Sequence, residues 1–150
     1  MQVAEVMQKE VIVVKNDMSV TEAAMVLLKN NITGAPVVDQ EGKLMGVVSE
    51  KDIFKFLYPD YREYYSFLGF TKEKVSLRAR VKIGEDKLVK EVMTRKVIYV
   101  STQDSVMRVG ALMVMKKIHR VMVVERGKLV GIVCRKDIYH QVFRTALNKD

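Results

Sequence analysis

Apolar positions along the chain change period in a fixed order, and the order occurs twice. Val11-Ile12-Val13-Val14 is a short β-branched run that predicts a strand. Ser19-Val20-Thr21-Glu22 then sets a hydroxyl and an acid three residues apart, where each satisfies a free N–H group at a helix start. Behind them Val20, Ala23, Ala24, Leu27 and Leu28 follow the i, i+3, i+4, i+7, i+8 stripe of a core-facing helix, which Asn30-Asn31 ends. Ala35-Pro36-Val37-Val38 and Leu44-Met45-Gly46-Val47-Val48 flank the polar turn Asp39-Gln40-Glu41-Gly42-Lys43, the pattern of a β-hairpin. Ser49-Glu50-Lys51-Asp52 opens a second helix with the same Ser-x-x-acid head.

The second half restates the first. VAEVMQKEVIVV (Val3 to Val14) returns as VKEVMTRKVIYV (Val89 to Val100), and GKLMGVVSEKDI (Gly42 to Ile53) as GKLVGIVCRKDI (Gly127 to Ile138). The offset shortens by one residue in the hairpin turn, and about 20 of about 54 aligned positions are identical. The second copy's first helix carries Val106, Val109, Gly110, Met113 and Val114. Gly110 costs about 1 kcal/mol against alanine, which a close helix approach would explain. A copy of about 55 residues buries little surface alone, so the two must share a core. The predicted fold class is α/β in the α+β sense: tandem βαββα repeats packed as one pseudo-two-fold globule, two small sheets with helices between. The boundaries are 1–57 for the first repeat, 58–88 for an inter-repeat segment and 89–150 for the second repeat.

The segment from Tyr58 to Leu88 is too long for a plain linker. Eight of the eleven aromatic residues fall between Phe54 and Phe70. Tyr58, Tyr61, Tyr65 and Leu68 recur at helical spacing, as do Tyr61, Tyr64 and Leu68, which predicts an extension of the second helix. Packing against the globule or a sister subunit is the plain role for it, and stacking on nucleic-acid bases the sharper one. Lys72 to Lys87 alternates charged and apolar residues and reads as a loop or short strand.

Composition narrows the partners. A formal charge of +8 and a pI near 9.6 attract anions, whether nucleotide, nucleic acid or an acidic protein; a lysine-rich solvated surface is the competing reading. The single cysteine, Cys134, leaves no internal disulfide to form. With no signal-peptide pattern and no apolar stretch of membrane-spanning length, a cytoplasmic protein without membrane contact is expected. Two histidines (His119, His140) and one cysteine make a His/Cys zinc site implausible, so no metal is expected. Gly-x-Ser-x-Gly, His-Glu-x-x-His, P-loop and Gly-x-Gly-x-x-Gly motifs are missing, which argues against an enzyme.

Two signatures carry a resemblance. Gly46-Val47-Val48-Ser49-Glu50-Lys51-Asp52 and Ile32-Thr33-Gly34-Ala35-Pro36-Val37-Val38-Asp39 have second-copy counterparts. These are Gly131-Ile132-Val133-Cys134-Arg135-Lys136-Asp137 and Ile118-His119-Arg120-Val121-Met122-Val123-Val124-Glu125. In that order they resemble the cystathionine-β-synthase (CBS) domain pair, or Bateman module. The resemblance implies a regulatory, energy-sensing type of module that binds AMP, ADP, ATP or S-adenosylmethionine between the repeats, requires no cofactor, forms a homodimer through helix faces and signals to an effector protein. It implies two clefts, each joining one repeat's helix start to the other's first strand and hairpin. The first would unite Val47, Ser49 and Asp52 with Val97, Ile98, Ile118, His119, Arg120 and Met122. The second would unite Ile132, Cys134, Lys136 and Asp137 with Val11, Ile12, Ile32, Thr33, Gly34, Ala35 and Pro36.

The residue chemistry suits that implication. A carboxylate such as Asp52 can accept both ribose hydroxyls. Ser49 and the N–H groups of its helix start offer donors to phosphate. Arg120 adds a planar fork and His119 a donor. Val97, Ile98 and Ile118 would sandwich adenine. Thr33-Gly34 in place of His-Arg, and Cys134 in place of a hydroxyl, predict weaker binding in the second cleft, partly offset by Lys136. The competing readings are helix capping for Asp52, plain surface for His119 and Arg120, and an edge-strand start for Pro36. A ligand-free scaffold and a nucleic-acid binder remain the alternative functions.

Overall fold

The computed structural model describes residues 1–58 and 77–148. The helical reading of Tyr61, Tyr64, Tyr65 and Leu68 lies outside them. In chain order the elements are α1 (Val3–Val6), β1 (Val14–Lys15), α2 (Val20–Lys29), β2 (Gly34–Val38), β3 (Leu44–Ser49), α3 (Glu50–Leu57), α4 (Leu77–Gly84), a 3-10 turn (Val89–Glu91), β4 (Tyr99–Val100), α5 (Val106–Lys116), β5 (Arg120–Glu125), β6 (Lys128–Cys134) and α6 (Arg135–Leu147). Two mixed three-stranded sheets result, β1-β2-β3 and β4-β5-β6, giving the α+β class expected.

The chain forms two compact units that do not coincide with its two halves. The first comprises Val13–Gln40 and Met45–Lys96; the second comprises Met1–Ile12, Glu41–Leu44 and Val97–Asp150. Each unit therefore completes the core beneath one repeat's sheet with the N-terminal segment of the other repeat. In the first unit Val14, Leu27, Ala35, Val37, Val48 and Ile53 form a core with Val89 and Met93. In the second, Val3 joins Val100, Val109, Met113, Val121, Val123 and Val133. The shared core expected from the small repeat size takes this form, an exchange of segments. Fully burying one such valine stabilises the fold by about 1.5–3 kcal/mol.

The exchange explains the glycine that opens each Gly-h-h-x-x-x-Asp signature. Val47 and Thr94 trade backbone hydrogen bonds (2.9 and 2.8 Å), and Gln8 and Ile132 do the same (2.9 and 3.0 Å). A Cβ on Gly46 would lie 2.7 Å from the Thr94 carbonyl oxygen, and one on Gly131 would lie 3.0 Å from that of Gln8. No side chain fits where the incoming backbone crosses.

Local signals act as expected at the helix starts. Ser19 Oγ accepts the Glu22 N–H (3.0 Å) and Glu22 Oε2 accepts the Ser19 N–H (2.9 Å). Asn31 takes a left-handed conformation just beyond α2. Arg126 and Gly127 are both left-handed between β5 and β6, the geometry of a two-residue type I′ hairpin turn.

Several expectations need correction. The strand at Val11–Val14 shrinks to Val14–Lys15, because β1 has partners only at Val37 and Val38 and Val11–Ile12 lie where the chain leaves one unit for the other. Pro36 sits in the middle strand of its sheet, not an edge strand, and escapes conflict because β1 begins pairing one residue later. The α3 helix does not run on through Tyr58, whose backbone is extended. Leu77–Gly84 is a helix, not a loop or strand. Its Leu, Arg, Ala and Lys residues favour helix, and Val81 and Ile83, which suggested alternation, remain exposed while the Val81 carbonyl accepts the Thr21 hydroxyl (2.8 Å). Leu28 and Val114, the last positions of the two apolar stripes, are 71% and 80% exposed. Among the described residues nothing lies within 4 Å of where a Cβ on Gly110 would stand, so no close approach of a described helix accounts for it.

Candidate functional site

The proposed cleft residues divide between the units. Val47, Ser49, Asp52, Ile32, Thr33, Gly34, Ala35 and Pro36 belong to the first; Val11, Ile12, Val97, Ile98, Ile118, His119, Arg120, Met122, Ile132, Cys134, Lys136 and Asp137 belong to the second. Inside each unit the chain brings together the helix start and the hairpin start of one repeat. The Glu50 N–H donates to the Thr33 carbonyl (2.9 Å), and the Arg135 N–H to the His119 carbonyl (2.8 Å). Arg120 stands opposite Cys134 across the β5–β6 ladder. Ala35, Pro36, Met122 and Ile132 are buried in their sheets, while Thr33, His119 and Lys136 are exposed and Arg120 and both aspartates half-buried.

The helix starts consume donors that the sequence reading reserved for phosphate. Asp52 Oδ2 accepts the Ser49 N–H (2.9 Å) and the Ser49 hydroxyl (3.0 Å), while Ser49 Oγ accepts the Asp52 N–H (3.3 Å). With the Glu50 N–H on Thr33, three of the N–H groups at this helix start are already satisfied within the unit. Ser49 is therefore a cap that orients Asp52, and its proton is directed at that carboxylate.

The second helix start uses other atoms. Asp137 Oδ2 accepts the Cys134 N–H (2.9 Å), but no hydroxyl is available beside it. Gln8, from the exchanged segment, donates its Nε2 to both Asp137 oxygens at 3.0 Å. At the matching position of the first unit stands Thr94, and Asp52 Oδ1 receives no hydrogen bond from the described residues. Burial pushes the Cys134 thiol above its ordinary range, and the Asp137 charge adds to the effect, so the thiol stays protonated and unreactive near neutrality.

Gln8 is the residue that motif reading missed. Its only trace in the sequence is a difference between the repeats, Met7-Gln8 against Met93-Thr94. Among the described residues no group of three or more His, Cys, Asp or Glu side chains could hold a metal ion, and no helix is long and apolar enough to cross a membrane.

Comparisons with known proteins agree with the repeat. The family model described as CBS domain matches residues 3–59 and 89–144. The uncharacterized protein MJ1426 of Methanocaldococcus jannaschii is 33% identical over 150 residues, which cover 92% of this chain and 89% of that protein. Several longer curated relatives are spanned over less than half their length. A crystal structure of CBSX2 of Arabidopsis thaliana in complex with AMP superposes with a TM-score of 0.72 at 26% identity, covering 97% of this chain and 98% of that one. The CBS domain pair of protein MJ0100, in complex with 5-methylthioadenosine and S-adenosyl-L-methionine, gives a TM-score of 0.65 at 29% identity, covering 97% and 98%.

Proposed function

Because this chain belongs to the CBS domain family, with two repeats of it in tandem, we propose that it is a regulatory module that binds an adenosyl nucleotide and performs no catalysis of its own. The observation that carries the reading is the likeness, over nearly the whole chain, to a CBS pair crystallised with AMP. The residue chemistry supports it. Asp52 presents a half-buried carboxylate, held in place by its own cap, that can accept a ribose hydroxyl on Oδ1. Arg120 and His119 supply a fork and a donor for phosphate, and Val97, Ile98 and Ile118 supply apolar surface for adenine. The same chemistry at Asp137, with Thr33-Gly34 in place of His-Arg, suits a ligand of lower negative charge.

The ligand acts by binding two conformations of the module with unequal affinity, and a partner protein reads the change. The module assembles as a homodimer through its helices. Leu28, Met25 and Phe54 are exposed on α2 and α3, and Val114, Met115, Tyr139 and Phe143 on α5 and α6. Gly110, Val114, Ile118 and Tyr139 line an open recess of about 570 Å³ on the second unit, a surface suited to a second copy's side chains.

Titration calorimetry with AMP, ADP, ATP and S-adenosylmethionine tests the reading. Asp52→Ala is expected to lose at least tenfold in affinity for the adenosyl ligand while the fold survives. Heats unchanged by that substitution would remove Asp52 from the site. Sedimentation of the same sample as a 17.2 kDa species alone would dismiss the homodimer.

A further inference from the structure

Asp137 differs from Asp52 in how fully the protein has occupied its carboxylate. In the first unit the cap comes from Ser49, and both bonds to the carboxylate converge on Oδ2, so that Oδ1 receives no hydrogen bond from the described residues. In the second unit Cys134 contributes its backbone N–H and a thiol, a far weaker donor than the Ser49 hydroxyl, and the Gln8 amide spans both oxygens at 3.0 Å. A ribose diol addresses a carboxylate with two donors. At Asp137 those donors meet an amide already in place.

Gln8 is not held there by burial, since its side chain is exposed. It is aimed there by its backbone, whose N–H and C=O are fixed by Ile132 at 2.9 and 3.0 Å. That pairing puts residue 8 of the exchanged segment opposite the strand that leads into Asp137. Thr94, fixed in the same way by Val47, carries a short hydroxyl and no amide.

We infer that Gln8 is a specificity-determining residue of the second nucleotide position, a built-in competitor that ribose hydroxyls must displace from Asp137. The inference rests on the adenosyl-binding reading above and adds a residue outside the two signatures that carry the resemblance. Displacement would also free one of the ties of the Met1–Ile12 segment to the rest of the second unit, so occupancy there loosens that segment.

Calorimetry with AMP in an Asp52→Ala background, where the second position is read alone, tests it. Gln8→Ala is expected to tighten that position several-fold, up to about tenfold, as the competing amide and its contacts to both Asp137 oxygens are removed. Gln8→Thr, which copies the residue of the other repeat, should do the same, and melting curves would show both variants folded. With Asp137→Ala as background, where the first position is read alone, Gln8→Ala should change nothing. AMP binding that Gln8→Ala leaves unaltered or weakens at the second position overturns the inference and spares the adenosyl reading. No heat from AMP, ADP, ATP or S-adenosylmethionine with the wild-type chain overturns both.

Discussion

The two helix starts that follow β3 and β6 occupy equivalent places in sequence yet are capped from different directions. Ser49 caps its own helix, and the bonds to Asp52 close within four consecutive residues. At Cys134 the local hydroxyl is missing, and the second partner of Asp137 arrives from residue 8, at a sequence distance of 129. A local cap orders a carboxylate whatever the rest of the chain does. A remote cap makes the carboxylate and the distant segment depend on one another. The first helix start is thus preset, and the second is linked to the N-terminal segment that also supplies Val3 to its core.

The largest effects test the crossing points that create this linkage. Gly46→Val is expected to destabilise the protein by about 3 kcal/mol, because its Cβ would lie 2.7 Å from a backbone oxygen that two hydrogen bonds hold in place. Gly131→Val should cost about 1 kcal/mol less, since its nearest atom, Met7 Sδ at 2.9 Å, ends a flexible side chain and the Gln8 oxygen lies at 3.0 Å. Urea unfolding of both variants ranks them. Equal losses would mean that both crossings are equally rigid.

Next in size are the buried valines of the exchanged segments. Val3→Ala and Val89→Ala each remove two methyl groups from a fully buried site, an expected loss of about 1–3 kcal/mol. The informative result is where protection falls. Hydrogen exchange should rise in β5 and β6 for Val3→Ala, and in β2 and β3 for Val89→Ala, each in the repeat to which the residue does not belong by sequence. Exchange rising in the mutated residue's own repeat would contradict the interleaving.

That crossing of segments marks where sequence reading stopped. Ser19, Ser49, Gly127 and the two hairpins were legible because their consequences are local: a cap closes over four residues and a turn over two. The tandem repeat was legible because similarity needs no geometry. The destination of Val3 and Val89 was not, since periodicity says that a position is buried and never against what. The same limit explains Leu28 and Val114. They sit on an apolar stripe, yet the core of one unit takes only part of that stripe and leaves its edge exposed. Leu77–Gly84 misled in the opposite way, since alternating residues imitated a strand while the helix docks through Thr21 and the backbone around it. Of the candidate site, Asp52 and Asp137 stood out from the motif, whereas Gln8 acts through strand pairing that no motif records.

The smallest effect concerns pH and again separates the repeats. In the second unit Glu125 accepts the Thr102 hydroxyl (2.6 Å), the Thr102 N–H (2.8 Å) and the Ser101 hydroxyl (2.9 Å), bonds that hold its carboxyl below the usual range. The matching connection of the first repeat, Lys15-Asn16, has no hydroxyl pair. A lowered folded value means that the unfolded chain takes up the proton first as pH falls. The stabilisation from these bonds is therefore complete above the unfolded carboxylate range and disappears as pH drops through the folded value. Glu125→Gln should melt below wild type at about pH 6, and the difference should vanish as pH falls through the lowered folded value of Glu125. Because the Thr102 carbonyl accepts the Ala4 N–H (3.0 Å), the same acid titration should release the Met1–Ile12 segment before the first unit responds. Amide exchange at Ala4 that stays constant while Glu125 protonates would show that the hold on the segment does not depend on the Glu125 carboxylate, leaving it to the Val3 packing and to the Met1, Val3 and Gln8 hydrogen bonds.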